Sequence, residues 1–188
     1  VLTQSDKIEL GGKEVAATVF FSDIESFTTI SENLPPKELV SYLNDYLSIG
    51  SDVLLEHGAM IDKYIGDSIM AIFGAPVPTT NHAATACLGA LEMQRVLQKF
   101  YKSQNAEIPQ FNTRIGIHTG TLVIGNIGSQ TRSDFTAIGD TVNLASRLEG
   151  VNKEFGTRII ISESTYKQAQ EVIEARALDF LRVKGRSK

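Results

Sequence analysis

One cysteine, Cys87, stands in 188 residues. No disulfide can therefore close within the chain, and the composition suits a reducing compartment such as the cytosol. No stretch approaches the roughly 20 apolar residues of a membrane-spanning helix, and the opening VLTQSDKIELGG lacks the shape of a secretory signal. Positive charge is not in excess either. With 18 basic and 22 acidic side chains the formal net charge is -4, so no electrostatic footprint for nucleic acid is present and none is expected as a partner. His and Cys at zinc-ligand spacing are missing, which argues against a soft metal. Internal repeats and low-complexity tracts are also missing. What remains, 42% hydrophobic and 21% charged, can bury one sizeable core and suits one domain.

Two acids stand out because of their surroundings. Asp23 in FFSDIESFT and Asp67 in YIGDSIMAIFG each sit at the end or turn of an apolar, β-like segment. Ala17 to Ile24 is short and nearly all apolar, as a buried central strand should be. Met60 to Ile65, a Gly66-Asp67 turn, and Ser68 to Phe73 form a strong hairpin signal. A bare carboxylate in such a place costs several kcal/mol by order of magnitude and is usually compensated by a metal or a basic partner. Taken singly, Gly66-Asp67 reads as an ordinary turn and Ser22-Asp23 as a cap for the helix that follows. If the two segments are neighbours, the acids converge and make a magnesium site suited to phosphoryl chemistry.

Turn and cap signals order the rest. Residues 1 to 14, polar and Gly-punctuated, read as a connector. Pro35 and Pro36 can open a helix carrying Leu39, Leu43, Leu47 and Leu54, which Gly58 can close after His57. Ala75 to Thr80 reads as a loop and Asn81 to Gln104 as a second long helix. Strand Thr113 to His118 is expected next, then a hairpin or bulged return through Thr121 to Ile127, then Asp134 to Ile138. Asp140 can cap a helix from Thr141 to Phe155, whose apolar stripe is Leu144, Leu148 and Val151. Strand Arg158 to Ile161 and a helix near Glu163 to Val172 follow. The opening order β-α-β-β-α-β is the ferredoxin-like arrangement of an α+β fold. His118, a lone His at a strand end, reads as structural.

FSDIESFT, DKYIGDSIMAIFG, RIGIHTG and FTAIGDTVNLASRLE resemble the successive signatures of class III nucleotidyl cyclase catalytic domains. The likeness runs from about Val15 to Lys188, in that family's order and spacing, so the catalytic domain is expected over 15–188. Val1 is no initiator and LRVKGRSK stops in what reads as a strand. An excised module is therefore expected, cut at its C-terminal end and once preceded by an upstream regulatory domain. It would be cytoplasmic, or on the cytoplasmic side of a membrane if that upstream part is anchored.

The resemblance implies roles for particular residues. Asp23 and Asp67, with the backbone carbonyl of Ile24, would hold two magnesium ions, for which manganese can substitute. Asn143 would orient the ribose and Arg147 would stabilise charge on the α-phosphate. The two are i and i+4 and share a helix face, and a guanidinium stays ionised and grips a phosphate with two hydrogen bonds. Arg114 and Lys184 would hold the β- and γ-phosphates. Lys63 and Thr136 match the base-reading pair of adenylyl cyclases, where guanylyl cyclases have Glu and Cys. The ammonium can donate to N1 of adenine and the hydroxyl can accept from N6, whereas guanine offers the reverse pattern. ATP is thus the expected substrate, and cyclic AMP and pyrophosphate the products. Thr rather than Asp at position 136 resembles bacterial and soluble cyclases often stimulated by bicarbonate, a candidate effector.

In the family each site lies between two catalytic domains. This chain carries both halves, so a head-to-tail homodimer with two equivalent sites is implied. The competing readings are a guanylyl cyclase, a diguanylate cyclase, whose GGDEF-like turn is replaced here by YIGDS, and a silent nucleotide-binding or dimerisation module.

Overall fold

The apolar run from Ala17 to Ile24 is the buried half of a longer strand in the computed structural model, which describes residues 10–103, 109–129 and 131–178. Strand β1 spans Gly11–Ile24, so the last residues of the expected connector are already in the sheet. After it come α1 (Phe27–Asn33) and α2 (Pro36–Glu56), the hairpin β2 (Ala59–Ile65) and β3 (Ser68–Phe73), and α3 (His82–Ser103). Then follow β4 (Thr113–Gly128), β5 (Ser133–Ile138), α4 (Asp140–Phe155), β6 (Ile159–Ile161) and α5 (Glu163–Ala169). The sheet order is β2-β3-β1-β4-β5, with β6 pairing parallel to β4. Its first four strands have the ferredoxin-like order, and the whole is an α+β fold with six strands flanked by helices.

Most of the expected elements are found. Pro35 takes the N-cap of α2 with Pro36 inside its first turn, His57 takes the C-cap, and Gly58 follows at φ 82. Gly66 holds φ 64 in the two-residue turn between β2 and β3, the conformation that such a turn asks of a glycine in its first position.

Two expectations are corrected. There is no return between Thr119 and Thr121, because β4 runs unbroken for 16 residues and pairs with β1 from Thr113↔Ile24 to Asn126↔Gly11. The glycines that suggested a return serve close approach instead: a Cβ on Gly120 would lie 2.8 Å from the Thr141 hydroxyl, and one on Gly125 would overlap the backbone of Gly11. The chain turns back only beyond Gly128, at φ 148. Second, Asp140 is the first residue of α4 rather than its cap. Gly139 holds the N-cap position with no side-chain cap.

Alternation along β1 divides the core. Phe20 and Ile24 join Tyr46, Leu54, Phe73 and Met93 in one cluster, while Val19 and Phe21 join Met70, Ile72, Leu122 and Ala145 in another. The first is covered by α2 and α3, the second by α4. The buried side of α4 is Thr141, Ala145, Leu148 and Asn152, so the stripe lies slightly round from Leu144 and Val151. Asn152 is tolerated there because its amide donates to the carbonyls of Ile115 and Glu149, both at 2.9 Å. His118 is buried. A polar thread runs from it through Ser162, Thr165, Thr119 and Thr18 to His82, every step between 2.7 and 3.0 Å.

Candidate active site

β1 and β3 pair antiparallel, with Ser22 opposite Ile69. That register brings the end of β1 beside the start of β3, and so Asp23 beside the Gly66-Asp67 turn. The Ile24 amide donates to Asp67 Oδ2 at 3.0 Å and the Ser68 hydroxyl donates to Asp23 Oδ1 at 2.9 Å. The two carboxylates are fixed reciprocally, each by a residue adjoining the other.

On the other side of β1, Arg114 faces Asp23 across the ladder and donates from its guanidinium to Oδ2 at 2.8 Å. Its Nε stands 3.1 Å from Glu149 Oε1 on α4, a close ion contact that lacks hydrogen-bond alignment. Helix α4 can come this near only because Gly116 has no side chain, since a Cβ there would overlap the backbone of Ala145 and Glu149. Gly116, the first glycine of RIGIHTG, is thus the seat of the helix that carries Asn143 and Arg147.

Three acids around one arginine leave negative charge in excess. Burial and then the Asp23 charge push the Asp67 carboxyl up to about 6. Burial and the Asp23 charge raise Glu149 to about 7, although Arg114 pulls the other way. Beneath them the buried Tyr46 phenol, bonded to Ser22 at 3.0 Å, is held neutral well above its usual range, chiefly by burial. An oxygen-only set that resists being fully charged fits a hard divalent cation, which would relieve the repulsion between the carboxylates. Among the described residues no group of three or more His, Cys, Asp or Glu is arranged to hold a metal. Asp23 and Asp67, held side by side, are the carboxylates that could supply the protein's share of such a shell.

Lys63 and Thr136 also meet, though on a carboxylate that the sequence reading passed over. Thr136, on β5, donates from its hydroxyl to Asp62 Oδ2 at 2.6 Å, and Lys63 Nζ lies 3.7 Å from Asp62 Oδ1. Asn143 and Arg147, in contrast, lie exposed on α4. Neither makes a side-chain hydrogen bond or ion pair among the described residues. Lys184 lies outside the described residues.

Asp62, Glu149, Ser68 and Gly116 are the residues that sequence reasoning missed. Glu149 had one available signal: it adjoins Leu148 on the buried side of α4, where an acid needs a partner.

The chain belongs to the adenylate and guanylate cyclase catalytic domain family, whose model matches residues 12–188. It is 44% identical over 171 residues to adenylate cyclase 1 of Rhizobium meliloti, covering 90% of this chain but 26% of that protein's length. The crystal structure of the adenylyl cyclase CyaB from P. aeruginosa matches with a TM-score of 0.84 and 38% identity, over 95% of this chain and 92% of that one. The guanylyl cyclase Cya2 matches with a TM-score of 0.85 and 34% identity, over 94% of this chain and 89% of that one. No helix among the described residues is long and apolar enough to cross a membrane.

Proposed function

We propose that the chain is an adenylyl cyclase catalytic domain, converting ATP to 3′,5′-cyclic AMP and pyrophosphate in sites shared between two copies. The observation that carries the choice of base is the meeting of Lys63 and Thr136, far apart in the sequence, at one buried carboxylate. Fold does not choose the base, since an adenylyl and a guanylyl cyclase match it equally well. The residues support adenine: an ammonium donor and a hydroxyl acceptor suit its N1 and N6 and mismatch N1 and O6 of guanine.

Closing the ring builds negative charge on the α-phosphate and on departing pyrophosphate, so catalysis is mostly positioning and positive charge. Asp23 and Asp67, with the Ile24 carbonyl, would hold two divalent ions, magnesium or manganese, which lower the pKa of the 3′-hydroxyl and neutralise the leaving group. Arg114, balanced here by Asp23 and Glu149, turns to the β- and γ-phosphates, joined by Lys184. Asn143 orients the ribose and Arg147 meets the α-phosphate. The exposure of these last two supports a site completed by a second copy, with Arg147 of one chain serving the acids of the other. Exposed apolar side chains such as Tyr64, Ile65, Phe135 and Ile138 give a two-fold interface material to bury.

The test is cyclic nucleotide formation by the purified domain from ATP and from GTP, with magnesium and with manganese. Cyclic AMP should dominate with either metal. Preferential use of GTP would replace this reading with a guanylyl cyclase, and no turnover of either nucleotide would favour a silent binding module.

A further inference from the structure

Asp62 is buried beneath the two residues assigned to the base, its side chain 1% exposed. Such a carboxylate needs compensation. Oδ2 accepts from the Thr136 hydroxyl at 2.6 Å and from the Ala137 amide at 3.3 Å. Oδ1 has no hydrogen-bond partner among the described residues and faces the Lys63 ammonium at 3.7 Å.

This geometry depends on a local irregularity. Sequence neighbours on a regular strand point to opposite faces, so Asp62 and Lys63 should not meet. The pairing of β2 with β3 slips between Ile61 and Lys63. Such a bulge re-aims side chains, and here it leaves the carboxylate and the ammonium together. It also lets Asp62 reach β5, although β2 and β5 stand at opposite ends of the main strand order.

A threonine hydroxyl has one proton to give and two lone pairs to accept with. In the bond to Asp62 the proton is spent on a carboxylate, and only lone pairs remain for a ligand. A hydroxyl so held accepts from the amino group of adenine but offers nothing to the O6 acceptor of guanine. The ammonium, drawn to Oδ1, keeps N–H groups for a ring nitrogen that accepts, as N1 of adenine does and N1 of guanine does not.

We infer that Asp62 is the positioning residue that sets the polarity of the adenine site, fixing Thr136 as an acceptor and aiming Lys63 as a donor. The inference rests on the adenylyl cyclase reading above. The competing role is mechanical: Asp62 could simply fasten β5 to β2. A fastener would affect both nucleotides alike, whereas a polarity-setting group acts on their ratio.

The experiment measures kcat and KM for ATP and GTP in the wild-type domain, Asp62→Ala and Asp62→Asn, with melting curves for each. Asp62→Ala frees the Thr136 proton, and the ATP-to-GTP ratio of kcat/KM should fall about tenfold, chiefly through a higher KM for ATP. Asp62→Asn keeps a carbonyl that can accept from Thr136, so its ratio should fall less, by about threefold. Equal losses for both nucleotides, or an unmoved ratio, would overturn the assignment. If the alanine variant does not fold, the asparagine variant decides alone, and an unmoved ratio there has the same force. A wild-type domain that prefers ATP beside variants of unchanged ratio removes the role of Asp62 and leaves the adenylyl reading intact. A wild-type domain without ATP preference overturns both.

Discussion

The backbone amide of Ile24 donates to Oδ2 of Asp67 at 3.0 Å, joining the end of β1 to the turn of the neighbouring hairpin. Because Ser68, next to Asp67, holds Asp23 in return, neither carboxylate can move without the other. Two acids are thereby kept together at a cost that an added positive charge would relieve.

Asp67→Asn should leave the Ile24 contact in place, since the amide carbonyl can still accept it, while removing a charged ligand and relieving repulsion with Asp23. Turnover should fall to background at saturating magnesium, and the metal-free protein should melt no lower than wild type. A variant that keeps substantial turnover would dismiss Asp67 as a metal ligand.

Shared sites make a different demand. Asp67→Ala spoils the acid side and Arg147→Ala the α4 side, so each homodimer should be inactive. Random co-assembly makes half of the dimers mixed, each with one doubly damaged site and one intact site, so about a quarter of wild-type activity should return. Co-expression measures this, and purification through two tags, which isolates the mixed dimers, should raise the figure to about half. Verified mixed dimers without activity would place the whole site in one chain.

Gly116→Ala should disturb the site without touching a charged group. Its methyl would overlap the backbone of Ala145 and Glu149, and backbone cannot step aside as a flexible side chain does. Overpacking of this kind should cost about 2 kcal/mol or more. Displacing α4 would also part Glu149 from Arg114 and shift Asn143 and Arg147. The chemical denaturation midpoint and kcat should both fall; an unchanged midpoint would mean that α4 has room to move.

The polar thread offers a pH test. Burial lowers the pKa of His82 below its usual 6.5, and its Nδ1 shares a hydrogen bond with Thr18 at 2.7 Å. The unfolded chain then binds the proton at higher pH than the folded chain. Stability from the neutral ring is complete above about 6.5 and is lost as pH falls through the lower folded value. Melting temperature should drop on acidification below that point. His82→Gln should start lower but decline less steeply, and parallel curves for the two proteins would assign the acid sensitivity elsewhere.

What the sequence disclosed and what it hid separate along physical lines. Asp23 and Asp67 were legible because an acid inside an apolar run is costly, and the Gly66-Asp67 turn because Gly first in a two-residue loop is rarely accidental. The unbroken β4 was hidden, since a glycine that opens space for another segment and a glycine that turns the chain look the same in sequence. Gly116, Gly120 and Gly125 are all of the first kind. Asp62 was hidden for another reason. Strict alternation sends it away from Lys63, and a bulge leaves no residue signature in IDKYIG. Glu149 carried only the weak signal of its place beside Leu148, outweighed because an acid two positions from Arg147 reads as an ordinary surface charge until β4 brings Arg114 alongside it.

Converting the base site exposes the same hidden residue. Lys63→Glu with Thr136→Cys presents a guanine-type pattern and should weaken ATP use. Asp62 stands in the way of the gain, because a carboxylate introduced at position 63 would lie near the buried Asp62 carboxylate, which Lys63 now offsets at 3.7 Å. Two close carboxylates cannot both remain charged without cost, so the double variant should gain little GTP activity. Adding Asp62→Asn removes one of the charges while keeping a carbonyl acceptor. The triple variant should therefore use GTP about tenfold better than the double variant by kcat/KM, since the repulsion opposing the new pattern is gone. Equal GTP activity in the two would show that Asp62 does not constrain the base.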